Sequence, residues 1–563
     1  MADASDSVGE CQKLRGSDCD REVSENLAEK PRVAASSEPT ISFIGGFTEA
    51  LNWIEARMED SEVGRPGPEV ASLRSHCVSL SESRRKAYFD RVVSKVLFGF
   101  SRAKRFREDI ALKGGAALLI KHVLSEQRAV QIRACITLGR LSKACSVEFL
   151  TEAVAPLMEL LRAPPDCASL HLPSTQEASA FALGRLARKG EELSSEIGSL
   201  GALPILCGIS LQSSGRLQRT AMKALRELVN FSERNHSILF QSAGLESILE
   251  HIMSSDPAVR LFAAEVLATM ASSREVRRAI VNLSGIPALI EAARIGRFES
   301  RTRAAHALGH LAFTKRIRRT IVDADAIPVL VDLLQEGDLP AKLVAGNTLG
   351  ILAAHVDHLR PVAQAGAIPL FVNLLEGTDS VGKEIAEDAF CILAVSEENA
   401  ITIADHLVRI LQSSSVEAKA GAADIVWDLA SYKHSVSVVR ASGAIPLLVT
   451  LLREENEEAR ERASGALAQL SYDENDRRAM VEAGVIPVLV ELIADESNEV
   501  KENVAEALHN LAEDSSYSLE MSEAAAIAAL RDLQDSYIGG SRVRDTTDHT
   551  SATLRYLSLR QFL

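Results

Sequence analysis

Apolar residues in this chain fall into two alternating phrases. The first is a compact aliphatic run opened by Ile-Pro or a close variant: GIPALI from Gly285, AIPVLV from Ala326, GAIPLF from Gly366, GAIPLL from Gly443 and GVIPVL from Gly484. The second spreads small and aliphatic residues at helical spacing, as in EARERASGALAQLSY, where Ala463, Ser464 and Ala466 share one side. The prolines mark the period. Pro287, Pro328 and Pro369 follow one another at intervals of 41, as do Pro446 and Pro487. Self-similarity at this period predicts a solenoid of stacked helices, in which each unit buries its apolar face only against its neighbours.

Within the unit 443–483 the pattern predicts an opening helix with Pro446 in its first turn, where the missing N–H is unpaired in any helix. EENEE (454–458) is the exposed turn and EARERASGALAQLSY a second, longer helix. A short charged helix, DENDRRAMVEAG, closes the unit, and Gly484 sits at a helix stop. Laid along the chain, openings recur at 114, 153, 201, 243, 285, 325, 366, 405, 443 and 484, with a closing fragment AAIAAL at 524. The unit at 153 carries APPDCASLHLPSTQE, a loop by composition, and the unit at 366 is short. Four regions follow: an acidic, Ser/Glu-rich segment over 1–40, expected to be disordered; N-terminal helices and a degenerate capping repeat over 41–113, with Trp53 pinning the Phe43–Met58 helix; the array over 114–535; and a flexible tail over 536–563.

Composition narrows the class. Apolar residues make up 46% and aromatics only 4%, which suits thin interdigitating helical layers. A net charge of −15 argues against general affinity for DNA or RNA phosphate. The eight cysteines are scattered without a CxxC pair, so they are read as reduced thiols of a cytoplasmic or nuclear protein. Cys135 and Cys145 are read as ordinary buried thiols. No 18-residue apolar run, secretory leader or lipidation motif is present, and the sequons at Asn230, Asn235 and Asn282 are read as chance. No phosphate-binding glycine loop, nucleophile elbow or metal-spaced Cys/His set occurs, so the chain reads as a non-enzyme without cofactor or metal.

The unit phrase, IP-x-LV-x-LL, then A-x-x-AL-x-x-LA, then a charged NRR-like stretch and V-x-A-G, resembles the armadillo repeat. The best matches are DENDRRAMVEAGVIPVLVELI and NEVKENVAEALHNLAED, and the resemblance spans roughly 90–535. It is nearest in character to plant armadillo-only proteins and to the armadillo halves of plant ubiquitin ligases, although no U-box, BTB or F-box precedes the repeats here. The resemblance implies an all-α, right-handed α-solenoid of three helices per unit. It also implies a concave groove, lined by the third helices, that takes extended protein segments. Importin-α members of the family read basic signals through a Trp and Asn ladder on those helices. No Trp and one Asn, Asn510, stand at the corresponding positions, so the nuclear-import reading is set aside.

The same register predicts what the groove carries instead. Arg140, Arg185, Arg219 and Lys223 fall on its N-terminal part, and Arg303, His306, His310 and Asn347 on the middle. Glu384, Asp388, Asp424, Asp428, Glu461, Glu502 and Glu506 fall on the C-terminal part. Carboxylates at i, i+4 repel, and a basic ligand relieves that repulsion. The expectation is a bipolar groove that takes acidic or phosphorylated segments at its N-terminal half and basic segments at its C-terminal half. The alternative is that these are solvated positions on exposed helix faces. His306 and His310 lack the inner Glu and third ligand of a metal site, and are read as polar contacts titrating near neutral pH. Trp427 either packs between repeats or acts as an aromatic anchor flanked by Asp424 and Asp428. The function expected is an interaction scaffold or adaptor that binds other proteins, neither nucleic acid nor membrane. Alternatives are a transport or targeting adaptor and an adaptor subunit in ubiquitin ligation.

Overall fold

The computed structural model describes residues 82–112, 115–164, 173–431, 433–512 and 514–517. The acidic segment 1–40, the Phe43–Met58 helix with Trp53, the fragment at 524 and the tail lie outside the described residues. Those residues form 29 α-helices and no strand. Compactness divides the chain into two units, one ending at Leu311 and the other beginning at Ala312. Each is an all-α stack of helical repeats. No single described helix is long and apolar enough to cross a membrane.

The repeat is built as the pattern predicts. In the second unit, Ala444–Leu451 opens, Glu457–Leu470 is the long helix and Glu474–Glu482 closes. The residue before each opening helix takes the left-handed conformation that turns the chain: Gly366 (φ 88°), Gly443 (φ 79°) and Gly484 (φ 74°). Glycine adopts this region without the Cβ clash other residues meet. Long helices of this unit start on side-chain caps. Asp338 accepts from Ala341 N at 3.1 Å, Asp379 from Gly382 N at 2.8 Å and Asn456 from Ala459 N at 2.8 Å. Each satisfies one of the amides that a helix start leaves unpaired.

The charged stretch that closes each unit has a structural task. Arg277 donates to the carbonyls of Ala271 and Ser272 at 2.9 and 2.7 Å. Arg477 donates to Ser471 and Tyr472 at 2.8 and 3.2 Å, and Arg318 to Ala312 at 3.0 Å. One arginine of each Arg-Arg pair thus closes the carbonyl end of the preceding long helix, where the helix dipole also favours a cation. His236 occupies the same position in its unit, with its ring nitrogen 3.0 Å from Val229 O. Asn235 is fully buried and its amide donates to Ser194 O at 3.0 Å and Leu228 O at 2.8 Å, tying consecutive repeats. A sequon at Asn235 is therefore closed to modification in the folded chain.

Three local expectations change. Residues 175–177, assigned to the inserted loop, begin a helix, because Ser174 accepts from Glu177 N at 3.0 Å and sets its start. Glu457 and Glu458, read as turn, form the first helical turn after the Asn456 cap. The closing and opening helices of two neighbouring units fuse into one, at Val147–Arg162 and Glu397–Leu411, where no glycine interrupts them. The second fusion accounts for the short unit at 366.

Candidate interaction face of the long helices

In the first unit most of the predicted basic residues hold consecutive repeats together. Arg140 donates to Phe98 O at 3.1 Å and Ser101 Oγ at 3.2 Å, with its guanidinium 4.7 Å from the Phe98 ring centroid. Arg185 reaches Gly139 O at 3.5 Å, and Arg219 pairs with Asp256 at 3.4 Å. Among the described residues, Lys223 alone of the four is exposed without such a partner. Pattern reading missed Arg107, Arg102 and Arg188, which crowd the same neighbourhood. Burial, then Arg102 and Arg107, lower the pKa of Arg140; burial, then Arg188, lower that of Arg185. The crowding marks a positive field over this part of the first unit.

Farther along the same unit a cleft of about 720 Å3 opens beside the long helices Gly215–Asn230, Pro257–Met270 and Phe298–Ala312. Arg303, His306 and His310 line it with Glu265, Thr269 and Asn230. Glu265 is neutralised from two sides, by Arg226 at 2.9 Å and Arg303 at 3.4 Å. The imidazoles of His306 and His310 lie edge to face with centroids 4.5 Å apart. Burial, His310 and Arg303 push His306 down to about 4, and burial and Arg277 lower His310. The expectation that this pair titrates near neutral pH is corrected: a half-buried imidazole beside cations stays neutral there. Among the described residues no His, Cys, Asp and Glu group has metal-binding geometry.

In the second unit, carboxylates crowd three successive long helices. Glu384, Glu387 and Asp388 lie on Ser380–Leu393, Asp424 and Asp428 on Val416–Ala430, and Glu461 on Glu457–Leu470. Arg462 pairs with Asp424 at 2.8 Å, and the Cys391 thiol donates to Asp428. Glu387, which pattern reading passed over, is the centre of this group. Burial first, then Asp424, Asp388 and Glu384, push it up to about 7 against the pull of Arg462. Burial, followed by Asp428, also raises the Cys391 thiol, keeping it protonated. Glu506 accepts from Tyr472 Oη, while Asn347, Glu384 and Asp388 are exposed and Glu502 half-buried.

Two predicted groove residues are placed elsewhere. Trp427 is half-buried with its indole lying across Gly465 of the next long helix, so it packs between repeats. A Cβ at 465 would overlap that ring, which explains the glycine. Asn510 is buried, with its amide donating to Ser471 Oγ at 2.8 Å. Both signals lay across the repeat: a large aromatic one period before a glycine, and a polar residue one period after a serine.

Comparison with known proteins agrees with this architecture. A model of the armadillo/β-catenin-like repeat matches residues 433–472 and 473–513. A crystal structure of an engineered protein, solved as a structural-genomics target, superposes with a TM-score of 0.58 at 25% identity. The alignment covers 70% of this chain and 98% of that one. No curated protein matches the sequence. The architecture defines the class, an all-α solenoid of helical repeats, and the chain carries armadillo repeats at 433–472 and 473–513.

Proposed function

We propose that the chain is a non-catalytic scaffold whose long-helix faces bind segments of other proteins, sorted by charge. Armadillo repeats generally mediate binding to other proteins, which supports the coarse reading. The observation that carries the finer one is the crowding around Glu387. Four carboxylates, Glu384, Glu387, Asp388 and Asp424, share one neighbourhood with Arg462, and burial first, with the repulsion of the other three added, pushes Glu387 up to about 7. A Lys/Arg-rich segment laid along this face relieves that repulsion and gains steered association. The first unit's Arg102, Arg107, Arg140, Arg185 and Arg188 support the complementary reading, an acidic or phosphorylated segment, though several of these also bond neighbouring repeats. Many weak contacts along a repeat array add up when they sit on one partner segment. Buried free Cys135, Cys145 and Cys207 suit a reducing compartment, cytoplasm or nucleus.

The test is a fluorescence-anisotropy titration of an Arg/Lys-rich peptide against wild type and Asp424→Lys/Asp428→Lys. Binding should weaken by about tenfold or more in the variant, and wild-type affinity should fall steeply with salt. Unchanged affinity in the charge-reversed protein would remove the acidic half of the proposal. Affinity capture with mass spectrometry, comparing the same two proteins, then identifies the natural partner.

A further inference from the structure

The second unit holds a cleft away from the charged faces. It lies between the opening helices Ala326–Glu336 and Ala367–Leu375 and the first turns of the long helices Leu339–Ala353 and Ser380–Leu393. Its volume is about 400 Å3, within the range of small binding sites. Leu334, Leu370 and Leu374 form its apolar lining, and Leu339, 46% exposed, stands at the mouth. Gln335, Lys342 and Asn373 also line it, and among the described residues none of the three side chains has a hydrogen-bond or ion-pair partner.

One residue explains why the cleft is open. Three positions after the long-helix cap, other units place a buried side chain: Val259, Ala341, Ala418, Ala459 and Val500. This unit has Gly382. Neither backbone nor space demands glycine here. Its φ is not left-handed, and an added Cβ would stand 3.4 Å from Leu343 Cδ2 and 3.6 Å from Leu374 Cδ2, which is ordinary contact. The glycine therefore leaves room that the repeat pattern would otherwise fill.

We propose that this cleft receives one large apolar side chain of a partner segment, a Leu, Met or Phe, with an acidic residue beside it. The leucines take the apolar side chain. The Gln335 and Asn373 amides each offer a donor and an acceptor, the pattern a peptide unit requires. Lys342 supplies the charge that an adjacent Asp or Glu complements. Asp379, which also lines the cleft, keeps its charge while its carboxylate caps the helix by accepting from Gly382 N, so the acidic residue of the partner is the one placed beside Lys342. This site is independent of the charged long-helix faces, so either proposal can fail alone.

The test is methyl NMR of the full-length, leucine-labelled protein, titrated with N-acetyl-Leu-Asp-amide. The methyls of Leu334, Leu370 and Leu374 should shift with concentration, and N-acetyl-Leu-Lys-amide should bind about threefold more weakly or worse. Gly382→Val, which restores the side chain other units carry, should abolish the shifts while the protein stays folded. Leu339→Asn, at an exposed position, should weaken binding by about tenfold. Lys342→Gln should erase the preference for Asp over Lys. Absent methyl shifts, or shifts that persist in Gly382→Val, overturn the proposal. Tighter binding of isocaproate than of the dipeptide would assign the cleft to a small apolar acid and overturn the peptide reading.

Discussion

Ala243 and Ser284 hold φ at 56° and Asp325 at 58°, in the place where other units use glycine. An L-residue in this region carries about 1–2 kcal/mol of strain, while glycine returns about 0.5–1 kcal/mol of it as unfolded-chain entropy. Ala243→Gly and Ser284→Gly are therefore expected to stabilise the adjoining helices by up to about 1 kcal/mol. Asp325→Gly should be nearly neutral, since Asp tolerates the left-handed region. Native-state hydrogen exchange in the opening helices measures this directly; equal gains at all three positions would contradict the account. The reverse applies at Gly465. Its missing Cβ is the space the Trp427 ring fills, so Gly465→Ala should cost about 1–3 kcal/mol by overpacking. If Gly465→Ala leaves the urea midpoint unchanged, the indole moves freely and is available to a ligand after all.

The closing helix shows what the repeat's charged stretch is for. Arg277, Arg318 and Arg477 hold the carbonyl ends of the long helices before them, so a charge that reads as surface chemistry is an internal joint. Arg477→Met should cost about 1–2 kcal/mol and fray the end of Glu457–Leu470, seen as faster exchange of its last amides. Unchanged exchange there would leave the cap without energetic weight. This also marks how far the chain was legible. The proline period and the Ala/Leu spacing predict element type and order, because a helix's periodicity is local. The Arg140 contact with Phe98 and the burial of Asn510 depend on a neighbour one period away. Register shows which helix face a residue occupies. It does not show whether the preceding repeat already engages that residue, and for this reason the acidic and basic candidates fared differently. Glu387 escaped notice for the same reason, since its crowding comes from Asp424 on the following repeat as well as from its own helix.

At the scale of the whole chain, one buried group in each unit makes the helix that carries it respond to pH, and the two responses are opposite. Glu387 in the second unit is raised from 4.5 to about 7 by burial and neighbouring carboxylates. The folded form therefore binds more protons than the unfolded form between those values, and this contribution to stability is lost as pH rises through about 7. His306 in the first unit is lowered from 6.5 to about 4. Its unfolded form binds the extra proton, so its contribution is full above about 6.5 and is lost as pH falls toward 4. In a repeat array, local stabilities are approximately separable. Hydrogen exchange between about pH 5 and 8, corrected for intrinsic rates, should therefore show helix Phe298–Ala312 gaining protection and helix Ser380–Leu393 losing it as pH rises. Glu387→Gln should abolish the second trend and leave the first. If helix Ser380–Leu393 shows no loss of protection in the wild type, or the same loss in Glu387→Gln, the crowding of carboxylates on the second unit has no energetic consequence, and the case for a basic partner there loses its physical basis.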